Sequence, residues 1–496
     1  MCGVFGITGH REASRIAYLG LYALQHRGQE SVGIASVDGG AMFVERGMGH
    51  VADVLDEASL DRLPGRGAIG HVRYSTSGAS KLQNAQPIRI GSRHGAIAVG
   101  HNGNLVNADL LRGALEDSGA IFTSTSDTEV ILHLFARSEQ EDVETALVDA
   151  LSRVEGAYSL TALTPSLLIG ARDPLGVRPL SIGHLEGALV LASETTAFDL
   201  IGGEYLRDLA PGEVVALSQE VRAEGELLDI IAAGPGGAAP GYVSRAPWPA
   251  VAGAKHCIFE HVYFARPDGV LNGESVMRAR KQMGRFLGAQ APVDADVVVP
   301  VPDGGVYAAQ GYSEVTGIPL ELALIRNHYV GRTFIEPRQS IRHFGVKVKL
   351  NPVREMIADK RVVLVDDSIV RGTTSGKIVE MMRNSGAREV HFRVSSPPYV
   401  SPCFYGIDTP HKQELIAANH SLDEVRRRID ADSLAYLSLD GLRESVTDGG
   451  RKYCVACFTG EYPTPLSAEV ASQLERFDPV GNGPAVPAAA GGTGSP

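Results

Sequence analysis

The run Val362-Val363-Leu364-Val365-Asp366-Asp367-Ser368-Ile369-Val370-Arg371-Gly372-Thr373-Thr374-Ser375 constrains the fold more than any other stretch of this chain. An apolar, largely β-branched segment runs into two carboxylates, and a turn rich in hydroxyls and glycine then opens a helix. A strand that is apolar throughout is covered on both faces, as in a parallel sheet wound with helices. In such sheets ligands bind at the carboxyl ends of the strands, where free N–H groups and a helix N-terminus attract anions. The turn therefore suits a phosphate, with donors from Ser368, Thr373, Thr374 and Ser375, while Asp366 and Asp367 suit sugar hydroxyls or Mg²⁺. Turn and cap chemistry alone explains an Asp-Asp pair but not the whole pattern. A Walker loop is excluded, because Gly372 and Gly376 enclose only three residues and Ile378 stands where Ser or Thr is required.

The flanking sequence from about 255 keeps that rhythm. Strand-like Val297-Val298-Val299, Leu320 to Ile325 and Glu389 to Val394 alternate with expected helices at about 306–317 and 373–384. Residues 2 to about 228 differ. Short runs such as Ala68-Ile69-Gly70-His71-Val72 and Ala188-Leu189-Val190-Leu191-Ala192 are separated by polar, Gly-containing loops, with helical stretches around 12–25 and 127–152. That mixture predicts an α+β domain of stacked antiparallel sheets over 2–230 and an α/β domain over 255–475. The Gly/Pro/Ala-rich segment 231–254 reads as a linker or surface loop, and 476–496 as a disordered tail.

At 496 residues, two domains are the natural count. There is no apolar run long enough to span a bilayer and no visible secretory signal, so a soluble protein in a reducing cytoplasm is expected. The net charge of -12 argues against nucleic acid as the main partner, since phosphate backbones demand a positive surface.

Five cysteines remain to be placed. Cys2, once Met1 is removed, carries its own α-amine, a base that can take the thiol proton at neutral pH. Cys454-Val-Ala-Cys457 is a CxxC, and with Cys257 and Cys403 it supplies four thiols, enough for a closed metal site, or else four small buried hydrophobes.

The strand–turn–helix run looks like the phosphoribosyl pyrophosphate (PRPP) motif of type I phosphoribosyltransferases. With Cys-Gly-Val-Phe-Gly at 2–6, LQHRGQES at 24–31, HVRYSTSG at 71–78, GHNGNLVN at 100–107, SDTE at 126–129, ARDPLGVRPL at 171–180, YFARPDG at 263–269, SSPPYVSPCFYGID at 395–408 and CVACFTGEYPT at 454–464, the chain resembles the amidophosphoribosyltransferase family. The resemblance runs from Cys2 to about Pro465. It implies an N-terminal-nucleophile glutaminase in which Cys2 attacks the glutamine amide and Asn102 and Gly103 hold the oxyanion. Arg73 would take the substrate α-carboxylate and Asp127 its α-ammonium, with Arg27 and Thr76 nearby. In the second domain it implies Asp366 and Asp367 on the ribose hydroxyls and Mg²⁺, with Ser368, Arg371, Gly372, Thr373, Thr374 and Ser375 on the 5-phosphate.

A loop containing Tyr329 to Ile335 would close over PRPP and complete a channel for ammonia. Cys257, Cys403, Cys454 and Cys457 would ligate a structural 4Fe-4S cluster, as in some members, a zinc site being the alternative. Purine nucleotides as feedback inhibitors and a homotetramer are further implications. The chain departs from the family pattern at Pro302-Asp303-Gly304-Gly305, where Gly304 replaces a hydroxyl near Mg²⁺ and leaves only backbone. Arg326 and His328 also stand where Lys and Arg are common. These departures leave open a specialised paralogue or a PRPP- or nucleotide-sensing protein. The first half alone would also fit amidotransferases that make glucosamine phosphate or asparagine.

Overall fold

The computed structural model describes residues 1–75, 79–248, 253–327, 350–409 and 411–466. The first half is a sandwich of two seven-stranded sheets. In one, Glu204–Asp208, Ser181–Leu185, Ala188–Ala192, Gly3–Thr8, Gly67–Arg73, Ser31–Asp38 and Ala41–Met48 lie side by side, every pair antiparallel. In the other the order is Ala238–Ala239, Tyr242–Arg245, Val214–Ser218, Leu167–Arg172, Gly156–Leu163, Gly95–Leu105 and Ile88–Ser92. Gly3–Thr8 is buried at every position because both its faces are covered. Val4 points into the layer between the sheets with Ile69, Ala98 and Leu168, and its neighbours Phe5 and Ile7 pack outward with Ala17 and Leu21 of the helix Ala13–Ala23. That helix approaches so closely that a Cβ on Gly20 would sit 2.3 Å from the Phe5 ring.

Two local expectations change. The helical stretch 127–152 is two helices, Thr128–Arg137 and Val143–Leu151, because Ser138 turns to extended backbone and ends the first. The segment 231–254 is not simply a linker: Tyr242–Arg245 pairs with Val214–Ser218 and extends the second sheet, its Tyr242 and Ser244 facing inward. A four-residue strand embedded in a Gly/Pro/Ala-rich run carries too few residues to show a period.

The second half holds a four-stranded parallel sheet in the order Val297–Pro300, Arg361–Asp366, Glu389–Val394, Ser433–Tyr436. Helices Val276–Gln290 and Val306–Thr316 pack on one side, and Thr373–Asn384 follows the Arg361–Asp366 strand. The expected strand Leu320 to Ile325 is broken up. Leu320 makes a single bridge to Val298, and Leu324–Arg326 pairs with Leu350–Pro352 instead. One apolar core joins the two halves, with Met1, Val106, Ala157 and Val177 packed among Ile258, Val262, Met283 and Phe458. No helix among the described residues is long and apolar enough to cross a membrane.

Candidate active sites

Cys2 precedes the central strand Gly3–Thr8 and is 6% exposed. Its backbone N–H donates to Asn102 Oδ1 at 3.2 Å, its thiol reaches the Tyr74 carbonyl at 3.6 Å, and its own carbonyl accepts from Arg27 Nε at 3.0 Å. Asn102 and Gly103 come from the facing sheet. Asn102 is fully buried and its Nδ2 has no partner, an orphaned donor beside the thiol. Gly103 has φ +156°, and a Cβ there would lie 1.9 Å from the Ala157 carbonyl, so only glycine lets this backbone N–H be presented here. An orphaned side-chain donor close to a nucleophile suits the stabilisation of a tetrahedral oxyanion.

Arg27, expected beside glutamine, is instead fully buried and braces the nucleophile. Besides Cys2 it pairs with Glu194 and with both Glu260 oxygens, at 2.8 Å and 3.1 Å for the latter. Burial alone would push Glu194 up, but His26 and Arg27 outweigh it and hold its carboxyl down at about 2. Truncating one partner of such a buried network costs about 3–5 kcal/mol, because the remaining charge is left uncompensated.

Arg73 is 3% exposed and already engaged with Ser75, with the Ala79 carbonyl at 3.2 Å and with Glu30 at 3.9 Å. Asp127 accepts from Leu105 N–H at 3.0 Å and lies 3.6 Å from His101 Nδ1. Burial works against its charge, but His101 outweighs burial and holds the carboxyl below the usual carboxylate range. Thr76 lies outside the described residues, as do His328 and the segment 329–335.

At the second site Asp366 ends its strand, and Asp366 and Asp367 are 8% and 7% exposed. Burial and the neighbouring Asp367 push Asp366 well above the carboxylate range. Burial also raises Asp367, to about 6, against the Ser368 hydroxyl bond of 2.6 Å and the nearby Arg280 guanidinium. Gly372 caps the helix Thr373–Asn384 at φ +76°, where no side chain satisfies the first-turn N–H groups. Thr373 and Thr374 are exposed there and Ser375 is buried. Arg371 pairs with Glu414 at 2.8 Å, with half its side chain in solvent.

Gly304 has a reason that the sequence does not display. A Cβ there would lie 1.9 Å from Asp367 Oδ2, so the bare backbone makes room for a carboxylate 63 positions on. Gly304→Ala is therefore expected to displace Asp367 and lower kcat/KM for PRPP roughly ten- to hundredfold. Steady-state kinetics check this, and an unchanged value would show that the position of Asp367 is not critical.

The four remaining cysteines line one small, mostly apolar cavity together with Val177, Arg178, Phe259, Tyr405, Ile407, Ala456 and Tyr462. Cys257 and Cys454 face each other in the parallel pair His256–Cys257/Tyr453–Cys454, and Cys457 is the second residue of the helix Ala456–Thr459. Among the described residues no three His, Cys, Asp or Glu side chains are grouped to hold a single metal ion. Burial pushes the Cys454 thiol up to about 12 and raises Cys257 and Cys457 as well, so binding a cation there must displace protons. The Cys403 segment also rests on the first site. Asn104 Nδ2 donates to the Phe404 carbonyl at 3.1 Å, and Gly406 is so close that a Cβ would meet the Gly103 backbone at 2.9 Å.

Residues missed from sequence include Glu194, Glu260, Arg178 and Arg280. Glu260 joins Arg27 to Arg178, and Arg280 donates to the carbonyls of His261 and Ala265 at 2.8 Å and 2.7 Å while its charge acts on Asp367. The turn Glu260–Phe264 thus touches both sites. Its YFARPDG context was visible; its contacts, made with partners far away in sequence, were not.

A sandwich glutaminase site joined to a strand-end phosphate site defines a glutamine amidotransferase fused to a phosphoribosyltransferase. Residues 71–199 match the glutamine amidotransferase domain model and 274–397 the phosphoribosyl transferase domain model. The chain belongs to the amidophosphoribosyltransferase family. It is 49% identical over 464 residues to amidophosphoribosyltransferase 1, chloroplastic, of Arabidopsis thaliana, covering 93% of this chain and 78% of that one. The amidophosphoribosyltransferase of Bacillus subtilis is 47% identical, with 94% of each chain covered. The structure of glutamine PRPP amidotransferase from B. subtilis, complexed with ADP and GMP, matches with TM-score 0.85 and 46% identity over 94% of this chain and 98% of that one.

Proposed function

We propose that this chain converts glutamine, PRPP and water to 5-phosphoribosylamine, glutamate and pyrophosphate. The observation that carries the reading is the orphaned Nδ2 of buried Asn102 beside Cys2. Cys2 adds to the glutamine side-chain carbonyl; Asn102 Nδ2 and the Gly103 N–H take the oxyanion; the Cys2 α-amine, freed by removal of Met1, accepts the thiol proton and returns it to the departing ammonia. Water then cleaves the thioester to glutamate. Arg73 and Asp127 would hold the two charged ends of glutamine, with Arg73 leaving Glu30 for the carboxylate. Ammonia passes to C1 of PRPP, held by Asp366 and Asp367 at the ribose and by the 368–375 turn at the 5-phosphate, and displaces pyrophosphate. Mg²⁺, which the two aspartates could hold, would neutralise the departing pyrophosphate. Pyrophosphate release that requires PRPP together with glutamine or ammonia is the expected result, and release without a nitrogen source would overturn the reading.

A 4Fe-4S cluster on Cys257, Cys403, Cys454 and Cys457 belongs to the same proposal and would pin three distant segments against the oxyanion strand. Four thiols around one cavity support it, zinc being the alternative. Anaerobically purified protein is expected to contain about four iron and four sulfide per chain, and absence of both would refute the cluster. A reducing cytoplasm fits the need to keep these thiols free. Purine nucleotides are proposed inhibitors of this chain, by likeness to the nucleotide-bound Bacillus relative. A homotetramer is part of the reading too, since the packed helices Ala13–Ala23 and Thr196–Ile201 expose Leu19, Tyr22 and Leu200 for association to cover.

A further inference from the structure

We infer that Arg178 is the positioning residue that answers the charge of the four-cysteine centre and ties that centre to the Cys2 nucleophile. The inference rests on the proposal that these cysteines hold an anionic iron–sulfur cluster. Arg178 has no exposed surface and lines the same cavity as Cys257, Cys403, Cys454 and Cys457. The Asp173 carboxylate aims it there by accepting the backbone N–H groups of Leu175, Val177 and Arg178 at 3.1, 3.0 and 3.1 Å, which folds the ARDPLGVRPL segment into a tight turn.

Its guanidinium is under-used. Nε and Nη2 have no partner, and Nη1 meets the Met1 sulfur and, at 3.4 Å, Glu260 Oε1. A buried guanidinium with two idle nitrogens is unfavourable unless an acceptor fills the space in front of it. Among the described residues no carboxylate lines that cavity, and its four cysteine sulfurs are acceptors within it. Four thiolates leave a cluster anionic, and N–H donors and positive charge beside such a cluster raise its reduction potential and slow its loss.

The other end of the connection is equally specific. Glu260 takes Arg27 at 2.8 and 3.1 Å, and Arg27 Nε holds the Cys2 carbonyl at 3.0 Å. With the cluster bound, Arg178 faces the sulfurs and Glu260 is left to Arg27. With the cluster removed, Arg178 turns to Glu260, competes with Arg27 and loosens its hold on Cys2. The order Cys2, Arg27, Glu260, Arg178 and the cysteine cavity is contiguous; the first four are buried, as are Cys257 and Cys457, while Cys403 and Cys454 are half-buried.

The test compares anaerobically purified wild type, Arg178→Lys and Arg178→Gln. Three quantities are read: the midpoint potential of the cluster, the rate at which an iron chelator bleaches its visible absorption, and the rate of Cys2 alkylation by iodoacetamide, followed on the Cys2 peptide by mass spectrometry before and after cluster removal. Arg178→Gln is expected to have a more negative potential and to bleach about tenfold faster or more, with Arg178→Lys between it and wild type. Stripping the cluster is expected to change Cys2 alkylation about threefold or more in wild type and to leave it unchanged in Arg178→Gln. Normal iron content with wild-type potential and bleaching in both variants overturns the inference while sparing the cluster. Wild type without iron and sulfide overturns both. If Arg178→Gln does not fold, Arg178→Lys and the wild-type alkylation pair decide: an unshifted potential together with no change on stripping overturns the inference.

Discussion

Cys2→Ala is expected to lower glutamine-dependent pyrophosphate release by at least ~10⁴-fold, since deleting a covalent nucleophile costs about 10⁶ in a well-studied hydrolase. Release driven by high ammonia should stay within about twofold of wild type, because the Asp366 and Asp367 site does not use the thiol. The two rates separate because the nucleophile and the strand-end turn lie on different sheets. Equal glutamine turnover in the variant would remove Cys2 from the mechanism.

The same site has a pH signature. The α-amine of Met1 sits in a buried pocket and is pushed down to about 6 by burial, with Arg178 and Arg27 adding to the effect against the opposing pull of Cys2. The Cys2 nitrogen is itself buried, with Asn102 Oδ1 at 3.2 Å, and burial is expected to lower its α-amine too once Met1 is gone. A base must be neutral to accept a proton, and an amine is neutral above its pKa. Glutamine kcat/KM should therefore be flat at high pH and fall about tenfold per unit below an amine pKa that lies under the ordinary value near 8. A limb centred on the ordinary amine value near 8 would show that the pocket does not desolvate this group.

Asp366→Asn/Asp367→Asn is expected to abolish transfer from both nitrogen sources, a loss of at least ~10²-fold, and at the same time to stabilise the protein at pH 8 without Mg²⁺. Both carboxyls have folded-state pKa values above those of the unfolded chain, Asp367 at about 6. For Asp367, between the unfolded value near 4 and about 6 the folded state holds more protons, so stability falls as pH rises and its penalty is fully present above about 6, while that of Asp366 goes on growing at higher pH. For Asp367 alone this amounts to about 3 kcal/mol. Asn keeps the shape and removes the charge. Mg²⁺ or PRPP should raise the melting temperature of wild type and not of the variant. Unchanged turnover, or a variant less stable than wild type at pH 8, would remove the charged pair from the PRPP site.

The parallel sheet and its ligand turn were legible because a strand covered on both faces must be apolar, and the ligand sits where that strand stops. Cys2 was singled out by its place after Met1, but only the motifs downstream gave that place weight. Asn102 and Gly103 came from resemblance, and their reason is spatial: Gly103 faces the Ala157 carbonyl across a strand pair. The break at Ser138 and the strand Tyr242–Arg245 were missed because one residue's backbone angle and a four-residue run leave no periodic trace.

The local sequence thus determined the two chemistries, a thiol with its own amine and a carboxylate pair before a phosphate turn, since each is carried by residues adjacent in the chain. Only the tertiary structure decided how they are supported. It made Arg27 a brace on the Cys2 carbonyl, turned Gly304 from a lost hydroxyl into room for Asp367, and set Arg178 between Glu260 and four cysteines. These are contacts between groups tens to hundreds of positions apart, and burial sets their energies. A linear sequence records neither.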